Sequence, residues 1–173
     1  MSKSRLKYTD SHDHCLGIVG MAIALYAFDC SEFLISISLE EGQQDIVLTD
    51  DFLFFSSDDI DPSELQRYQV DYFKVYCGMT FSNYFCRRYC ANRTPNVDAL
   101  QQLEEHVCNI ASTQIGLAEA DARQITHDVQ HSLHQIFTRH LLVNTARDFA
   151  KALLDKKEMS QEEVDKHLSL FLE

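Results

Sequence analysis

The 173-residue sequence lacks the glycine motifs with which many enzymes bind phosphates or position a nucleophile. Its five glycines form neither a G-x-G-x-x-G loop nor a Walker motif. A G-x-S-x-G sequence is also absent, which removes the nucleophile elbow of the α/β-hydrolases. Proline is rare, with 2 residues, and 45% of the residues are hydrophobic, so a disordered chain is excluded. We therefore expect a folded, non-enzymatic protein, which at this length is one domain.

Positive charge is scarce, since 15 Lys and Arg face 27 Asp and Glu and give a net charge of −12. Nucleic acid is therefore disfavoured as a partner, because duplex binding depends on neutralising phosphates with Lys and Arg. Between Asp29 and Glu64 there are 11 acidic residues and no basic residue. This segment predicts either a solvated acidic surface or a docking face for a basic partner. The acidic residues assigned to that face are Asp50, Asp51, Asp58 and Asp59.

Long apolar runs and disulfide patterns are also missing. The longest apolar run, residues 15–28, has 14 residues and falls short of the roughly 20 that a spanning helix needs, so we predict no membrane segment. Six scattered cysteines do not make a disulfide scaffold, and reduced thiols predict a cytoplasmic location. Cys86 and Cys90 lie one helical turn apart beside Arg87 and Arg88. A reactive, low-pKa thiol is possible in that setting, but inert half-buried cysteines are the simpler interpretation.

Residues 61–90 are predicted to form one long central helix that carries 8 of the 18 aromatic residues. Asp61 precedes Pro62 and Glu64, which is a capping-box start with proline at the first helical position. Three tyrosines, Tyr68, Tyr72 and Tyr76, recur every four residues on this helix. Such a row is typical of core packing or of an interface that docks a partner.

The rest of the chain predicts an α+β fold. Period-two alternation over residues 33–39 indicates a strand, and residues 33–55 read as a hairpin. Residues 18–28 favour a third strand, with a buried helix as the alternative. Helical patterns follow Pro95, and Ser160 opens a capping box with Glu163. We expect a small N-terminal antiparallel β-meander of two or three strands packed on a bundle of about five helices. Its expected parts are a loosely ordered tail (1–14), a mainly β segment (15–57) and a mainly α segment (61–172).

The histidines His127, His131 and His134 share one face of a predicted helix. Two imidazoles one turn apart can share a metal ion such as zinc, whereas an ordinary polar face or a pH-sensitive surface would need none. A second cluster, His12-Asp13-His14-Cys15, has potential ligands too. The sequence does not decide whether the two clusters meet.

Together these features predict a non-enzymatic interaction or adaptor protein. It would dock a protein partner, or a second copy of itself, through the aromatic helix and the acidic face. In this interpretation there is no cofactor. The alternative is a metal-binding protein, storing the metal or hydrolytic, that uses the histidine face.

Overall fold

The computed structural model describes residues 6–53 and 61–171, and helices dominate this part of the chain. It contains seven α-helices and three short strands, in the order α1 (Ser11–Ala27), β1 (Leu34–Ser38), β2 (Ile46–Leu48), α2 (Asp50–Leu53), α3 (Pro62–Cys90), α4 (Val97–Ile110), α5 (Glu119–Phe137), α6 (His140–Lys156), β3 (Glu158–Ser160) and α7 (Gln161–His167). The predicted α+β class is confirmed. The helices exceed the expected five because α1 and α2 form within the segment that was expected to be mainly β.

The central helix α3 forms as predicted. Asp61 caps it, because its Oδ1 accepts the backbone N–H of Ser63 at 2.9 Å, and Pro62 occupies the first turn. With 29 residues the helix is about 43 Å long. From Phe73 onward the helix lies largely in the core, and Phe73 and Phe81 are completely buried. The helix packs against α1, α4, α5 and α6.

Residues 18–28 were expected to form a strand, and this prediction is wrong. Residues 18–27 belong to α1, which Asp10 caps by accepting the backbone N–H of Asp13 at 2.8 Å. All residues from Cys15 to Tyr26 except Met21 are buried. A segment enclosed on every side has no polar face, so its hydrophobic period cannot separate a strand from a helix. The mainly β segment expected over residues 15–57 is therefore wrong for residues 15–27.

The small sheet is antiparallel with the order β2-β1-β3, so it is not an N-terminal meander. The predicted hairpin is confirmed in β1 and β2, where Ile37 pairs with Ile46. The hairpin is shorter than expected, because residues 50–53 form α2 instead of continuing the second strand. The third strand comes from the C-terminal part of the chain, with Met159 paired to Ile37. A three-residue strand gives too weak a local pattern to be predicted, and it forms because Met159 is buried in the core.

The N-terminal segment is held by Arg87, against the expectation of a loosely ordered tail over residues 1–14. Residues 11–14 form the first turn of α1. The Arg87 guanidinium donates to the carbonyl oxygens of Leu6 and Lys7 at 2.9 and 2.8 Å and pairs with Asp13 at 2.7 Å. It also lies 4.7 Å from the centre of the Tyr8 ring. The predicted tail is thus wrong for residues 6–14.

The last helix, α7, begins where the sequence predicts it. The capping box at Ser160 is confirmed, since the Glu163 carboxylate accepts the Ser160 N–H at 3.1 Å. The helices α5 and α6 are separated by Thr138 and Arg139.

The helices α1 and α3 approach each other closely where their residues are small. Gly20 of α1 lies against Ser82 of α3, and the Ser82 hydroxyl donates to the Gly20 carbonyl oxygen at 2.5 Å. A Cβ atom at Gly20 would overlap the backbone carbonyl of Ser82. At Gly17 it would instead meet the side chains of Asn83 and Tyr8. The crossing therefore tolerates no side chain at Gly20, because the obstacle there is backbone.

We predict that Gly20→Ala lowers the free energy of unfolding by about 1–3 kcal/mol, as is typical of overpacking. This loss outweighs the gain of about 1 kcal/mol that alanine gives over glycine inside a helix. Urea denaturation followed by circular dichroism measures the effect. Gly17→Ala is the matched control and should lower the free energy of unfolding less, because the side chains of Asn83 and Tyr8 can move aside. Unchanged or higher stability of Gly20→Ala would contradict the close crossing.

Candidate functional site

The three predicted histidines lie together on the exposed side of α5. His127, His131 and His134 line one surface cavity of about 410 Å³, between α5, the end of α3 and the start of α4. The opposite side of α5 faces the core, where Val129 and Leu133 are buried. The sequence therefore predicted the shared face correctly, and the structure adds that this face borders a cavity.

The ring nitrogens of these histidines have separate partners. A hydrogen bond of 2.6 Å joins His134 Nδ1 to the Tyr89 hydroxyl. The Gln135 amide donates to His131 Nε2 at 2.9 Å, and His127 Nδ1 lies 3.6 Å from the carboxylate of its neighbour Asp128. Within residues 6–53 and 61–171 no three His, Cys, Asp or Glu side chains are grouped so that they could hold a metal ion. The geometry therefore gives no support to the zinc hypothesis.

The N-terminal cluster His12-Asp13-His14-Cys15 is spread over different partners. His14 Nε2 lies 2.8 Å from Asp45, and its ring stacks on Tyr8 with centroids 4.4 Å apart. The buried Cys15 thiol donates to the Ala150 carbonyl, while Asp13 binds Arg87. His12 lines a different cavity from the one lined by the α5 histidines. His12 and the α5 histidines thus line separate cavities.

Among the six free thiols, Cys90 is set apart by its pKa. The Cys86 and Cys90 sulfurs are 3.9 Å apart. The hydrogen bond from Cys86 lowers the pKa of Cys90 against the effect of burial, and the positive charge of Arg147 adds to this. The sequence suggested Arg87 and Arg88 as the source of positive charge. Arg87 instead pairs with Asp13, and Arg88 donates to the Thr94 carbonyl at 2.8 Å.

The other thiols are poor nucleophiles. The hydrogen bond to Cys90 and complete burial raise the pKa of Cys86 well above its usual value. Burial raises the pKa of Cys15 and Cys77 to about 12 and that of Cys30 to about 11. Burial also raises the pKa of Cys108. Four buried thiols and the half-buried Cys30 thus have a raised pKa, which is typical of unreactive cysteines.

The acidic residues of α2 lie beside the tyrosine row of α3. Asp50 and Asp51 are exposed, whereas Phe52 turns inward and meets the Tyr72 ring with centroids 5.3 Å apart. Tyr68, one turn earlier, is 47% exposed. Tyr76 is half-buried, and its hydroxyl lies 3.4 Å from His106 of α4. The Phe52–Tyr72 contact therefore places α2, which carries Asp50 and Asp51, beside Tyr72. Asp50, Asp51, Tyr68 and Tyr72 are called here the acidic–aromatic face. Asp58 and Asp59 lie outside the described residues.

A basic cavity at the end of α3 was missed by the sequence analysis. It has a volume of about 360 Å³, and its lining includes Arg93, His140 and Arg147 together with the aromatic rings of Tyr89 and Phe137. Arg93 comes from the loop after α3, and the other two come from α6. The basic residues near Arg93 were visible in the sequence, but nothing local indicated that α6 would join them.

Comparison with known protein families, curated proteins and solved structures finds no match to this chain. Among the described residues, no helix has both the length and the apolar character required to cross a membrane. Function must therefore be argued from the surfaces themselves.

We predict that an alkylating reagent modifies Cys90 before the other thiols at neutral pH, because its lowered pKa increases the thiolate fraction. Peptide mass spectrometry after short exposure to iodoacetamide measures the order of reaction. Cys30 is the internal comparison, since it is also half-buried but has a raised pKa. Cys86→Ala removes the hydrogen bond to Cys90 and should slow the alkylation of Cys90. Equal rates at Cys30 and Cys90 would refute this assignment.

We predict that removal of divalent metal leaves the melting temperature unchanged, because the α5 histidines have separate partners. Thermal melting with and without EDTA tests this on the native chain and on the His127→Ala, His131→Ala double variant. The metal hypothesis returns if EDTA lowers the Tm of the native chain and the double variant loses that response.

Proposed function

We propose that the protein is a non-enzymatic interaction protein that docks a basic protein partner on its acidic–aromatic face. The observation that carries this proposal is the contact between Phe52 and Tyr72. This contact anchors α2 on α3, and Asp50 and Asp51 of α2 are exposed. A second anchor is the contact of Phe33 with Phe52, with centroids 5.4 Å apart.

The charge of the segment that contains α2 supports a basic partner. Nine acidic residues of the segment 29–64 are described, and eight of them are exposed: Asp29, Glu32, Glu40, Glu41, Asp50, Asp51, Asp61 and Glu64. Lys and Arg are absent from the segment. A surface of one sign accelerates encounter with a partner of opposite sign and disfavours like-charged partners. Two copies joined through this face would set carboxylates against carboxylates, so a different, basic chain is favoured over a homodimer.

The aromatic part of the face adds short-range recognition. An exposed tyrosine ring attracts Lys and Arg side chains, and such a cation–π contact contributes about 0.5–1 kcal/mol. Tyrosine is also enriched at protein interfaces, where its ring is buried and its hydroxyl stays hydrated. Tyr68, at 47% exposure, is the described residue of the row that offers the most ring surface.

Two further features support the non-enzymatic and cytoplasmic parts of the proposal. Five of the six thiols have a raised pKa, which makes them weak nucleophiles. All six cysteines are free, as expected for a protein that works in a reducing compartment.

We predict that Asp50→Asn with Asp51→Asn weakens binding of Lys- and Arg-rich peptides by about threefold to tenfold, as expected for two exposed ion pairs. Tyr68→Ala should weaken it further through the lost ring contact. Fluorescence anisotropy with a panel of labelled basic peptides measures the affinity at several salt concentrations.

The matched control is Asp98→Asn with Asp121→Asn, which removes two exposed carboxylates from the first turns of α4 and α5. It makes the same change in net charge away from the face. Equal losses in both double variants would mean that overall charge alone attracts the peptides, and the proposed face would be refuted.

A further inference from the structure

The cavity at the end of α3, named here the basic cleft, has a charge opposite to that of the whole chain. Its basic lining residues are Arg93, His140 and Arg147. The adjoining cavity lined by the α5 histidines shares Tyr89 and Thr94 with it. None of the described residues that line either cavity is Asp or Glu. In a chain with 27 acidic and 15 basic residues, such a lining is a strong local reversal of charge.

The hydrogen bonds that hold the Arg147 guanidinium go to neutral acceptors. Its guanidinium donates to the Cys90 carbonyl at 3.0 and 3.1 Å and to the Asn92 side-chain oxygen at 2.9 Å. A longer contact of 3.4 Å reaches Asn144. All these acceptors are neutral carbonyl oxygens, so they orient the guanidinium and leave its full positive charge. The ion pairs found within residues 6–53 and 61–171 involve neither Arg147 nor Arg93.

Helix capping explains part of this arrangement and leaves the rest unexplained. Arg147 binds the last carbonyl of α3, where positive charge suits the helix dipole. That role accounts for Arg147 alone. Arg93 and His140 are exposed and come from the α3–α4 loop and from the start of α6. Their convergence with Arg147 on one cavity is therefore a separate observation.

The cleft also has an aromatic wall. The rings of Tyr89 and Phe137 are nearly parallel, at 9°, with centroids 6.2 Å apart, and the Phe85 ring lies at similar distances from both, 5.9 and 6.3 Å. Phe137 is completely buried, whereas Tyr89 is half-buried and reaches both cavities. A flat ring placed against Tyr89 would bury apolar surface without displacing a hydrogen-bonded group of the cleft.

We propose that the basic cleft binds a small anionic molecule that carries a planar ring, with its carboxylate or phosphate facing Arg93, His140 and Arg147. Positively charged side chains that line a cavity favour anions, and the exposed guanidinium of Arg93 suits the planar geometry of carboxylates and phosphates, whereas Arg147 contributes mainly its charge. The ring would lie against Tyr89. The volumes of about 360 and 410 Å³ fall in the range of small-molecule sites. A nucleic-acid strand is disfavoured by the net charge of −12.

This site is separate from the acidic–aromatic face and goes beyond the proposed docking function. Tyr72 and Tyr89 are 17 residues apart on α3, which corresponds to about 25 Å along the helix axis. Substitutions at one site therefore leave the other in place, and each proposal can fail without the other.

Isothermal titration calorimetry of the full chain tests the ligand class with defined probes. The two ring anions are 2-naphthoate, which carries a carboxylate, and adenosine monophosphate, which carries a phosphate. The comparison probes are 2-naphthalenemethanol and adenosine, which lack the anion, and acetate and inorganic phosphate, which lack the ring. We expect saturable binding of at least one ring anion, at least tenfold tighter than its uncharged and ring-free counterparts. Whichever of the two ring anions binds more tightly shows whether the cleft prefers a carboxylate or a phosphate.

Arg93→Gln should weaken the preferred ring anion about tenfold, as expected when a charge-assisted hydrogen bond is lost, and His140→Gln should weaken it less. Both side chains are exposed, so the Tm should not change. Arg67→Gln is the matched control: it removes one exposed arginine near the other end of α3 and should leave the affinity unchanged.

Three results would overturn the proposal. The first is the absence of saturable binding at millimolar concentration, and the second is equal affinity for charged and uncharged rings. The third is an equal loss of affinity for the ring anion in Arg67→Gln and Arg93→Gln. Proton NMR of the Tyr89 ring gives an independent readout, because a stacked ligand shifts its resonances. Binding that leaves those resonances unchanged would place the ligand elsewhere and would also count against the cleft.

Discussion

The close approach of α1 to α3 is the constraint on which the rest of the structure depends. Gly20 lets the backbones come near enough for the Ser82 hydroxyl to bond the Gly20 carbonyl at 2.5 Å. Close packing of this kind gains dispersion contacts that longer side chains would prevent. Because α5 packs on α3 and α6 packs on α1, the crossing also determines where both later helices lie. Through α6 it determines how Arg147 reaches the end of α3.

The long helix α3 carries opposite charges at its two ends. Asp61 caps its N-terminus, Glu64 lies in its first turn, and Arg87 and Arg88 lie in its last, so each end complements the helix dipole. Neighbouring elements extend this separation, since α2 adds carboxylates near the first half and α6 adds Arg147 at the far end. A chain with a net charge of −12 can therefore present one surface suited to cations and one cavity suited to anions.

Several parts of the fold and of the candidate sites could be predicted because their causes are local. The cap at Asp61, the capping box at Ser160 and the helix that joins residues 62–90 all depend on contacts within a few positions. The shared face of the α5 histidines also follows from helical periodicity alone. The partners of their ring nitrogens could not be predicted in this way, because the bond from His134 to Tyr89 joins two different helices.

By itself the sequence determined the α+β class, the central aromatic helix and the position of the acidic segment, because composition and short-range periodicity carry that information. The tertiary structure decided that residues 18–27 are helical, since a fully buried segment has no polar face that marks its period. It also decided that Met159 supplies the third strand and that Arg147 meets Cys90, 57 residues away. Such contacts depend on the packing of distant elements, and local sequence patterns do not encode that packing.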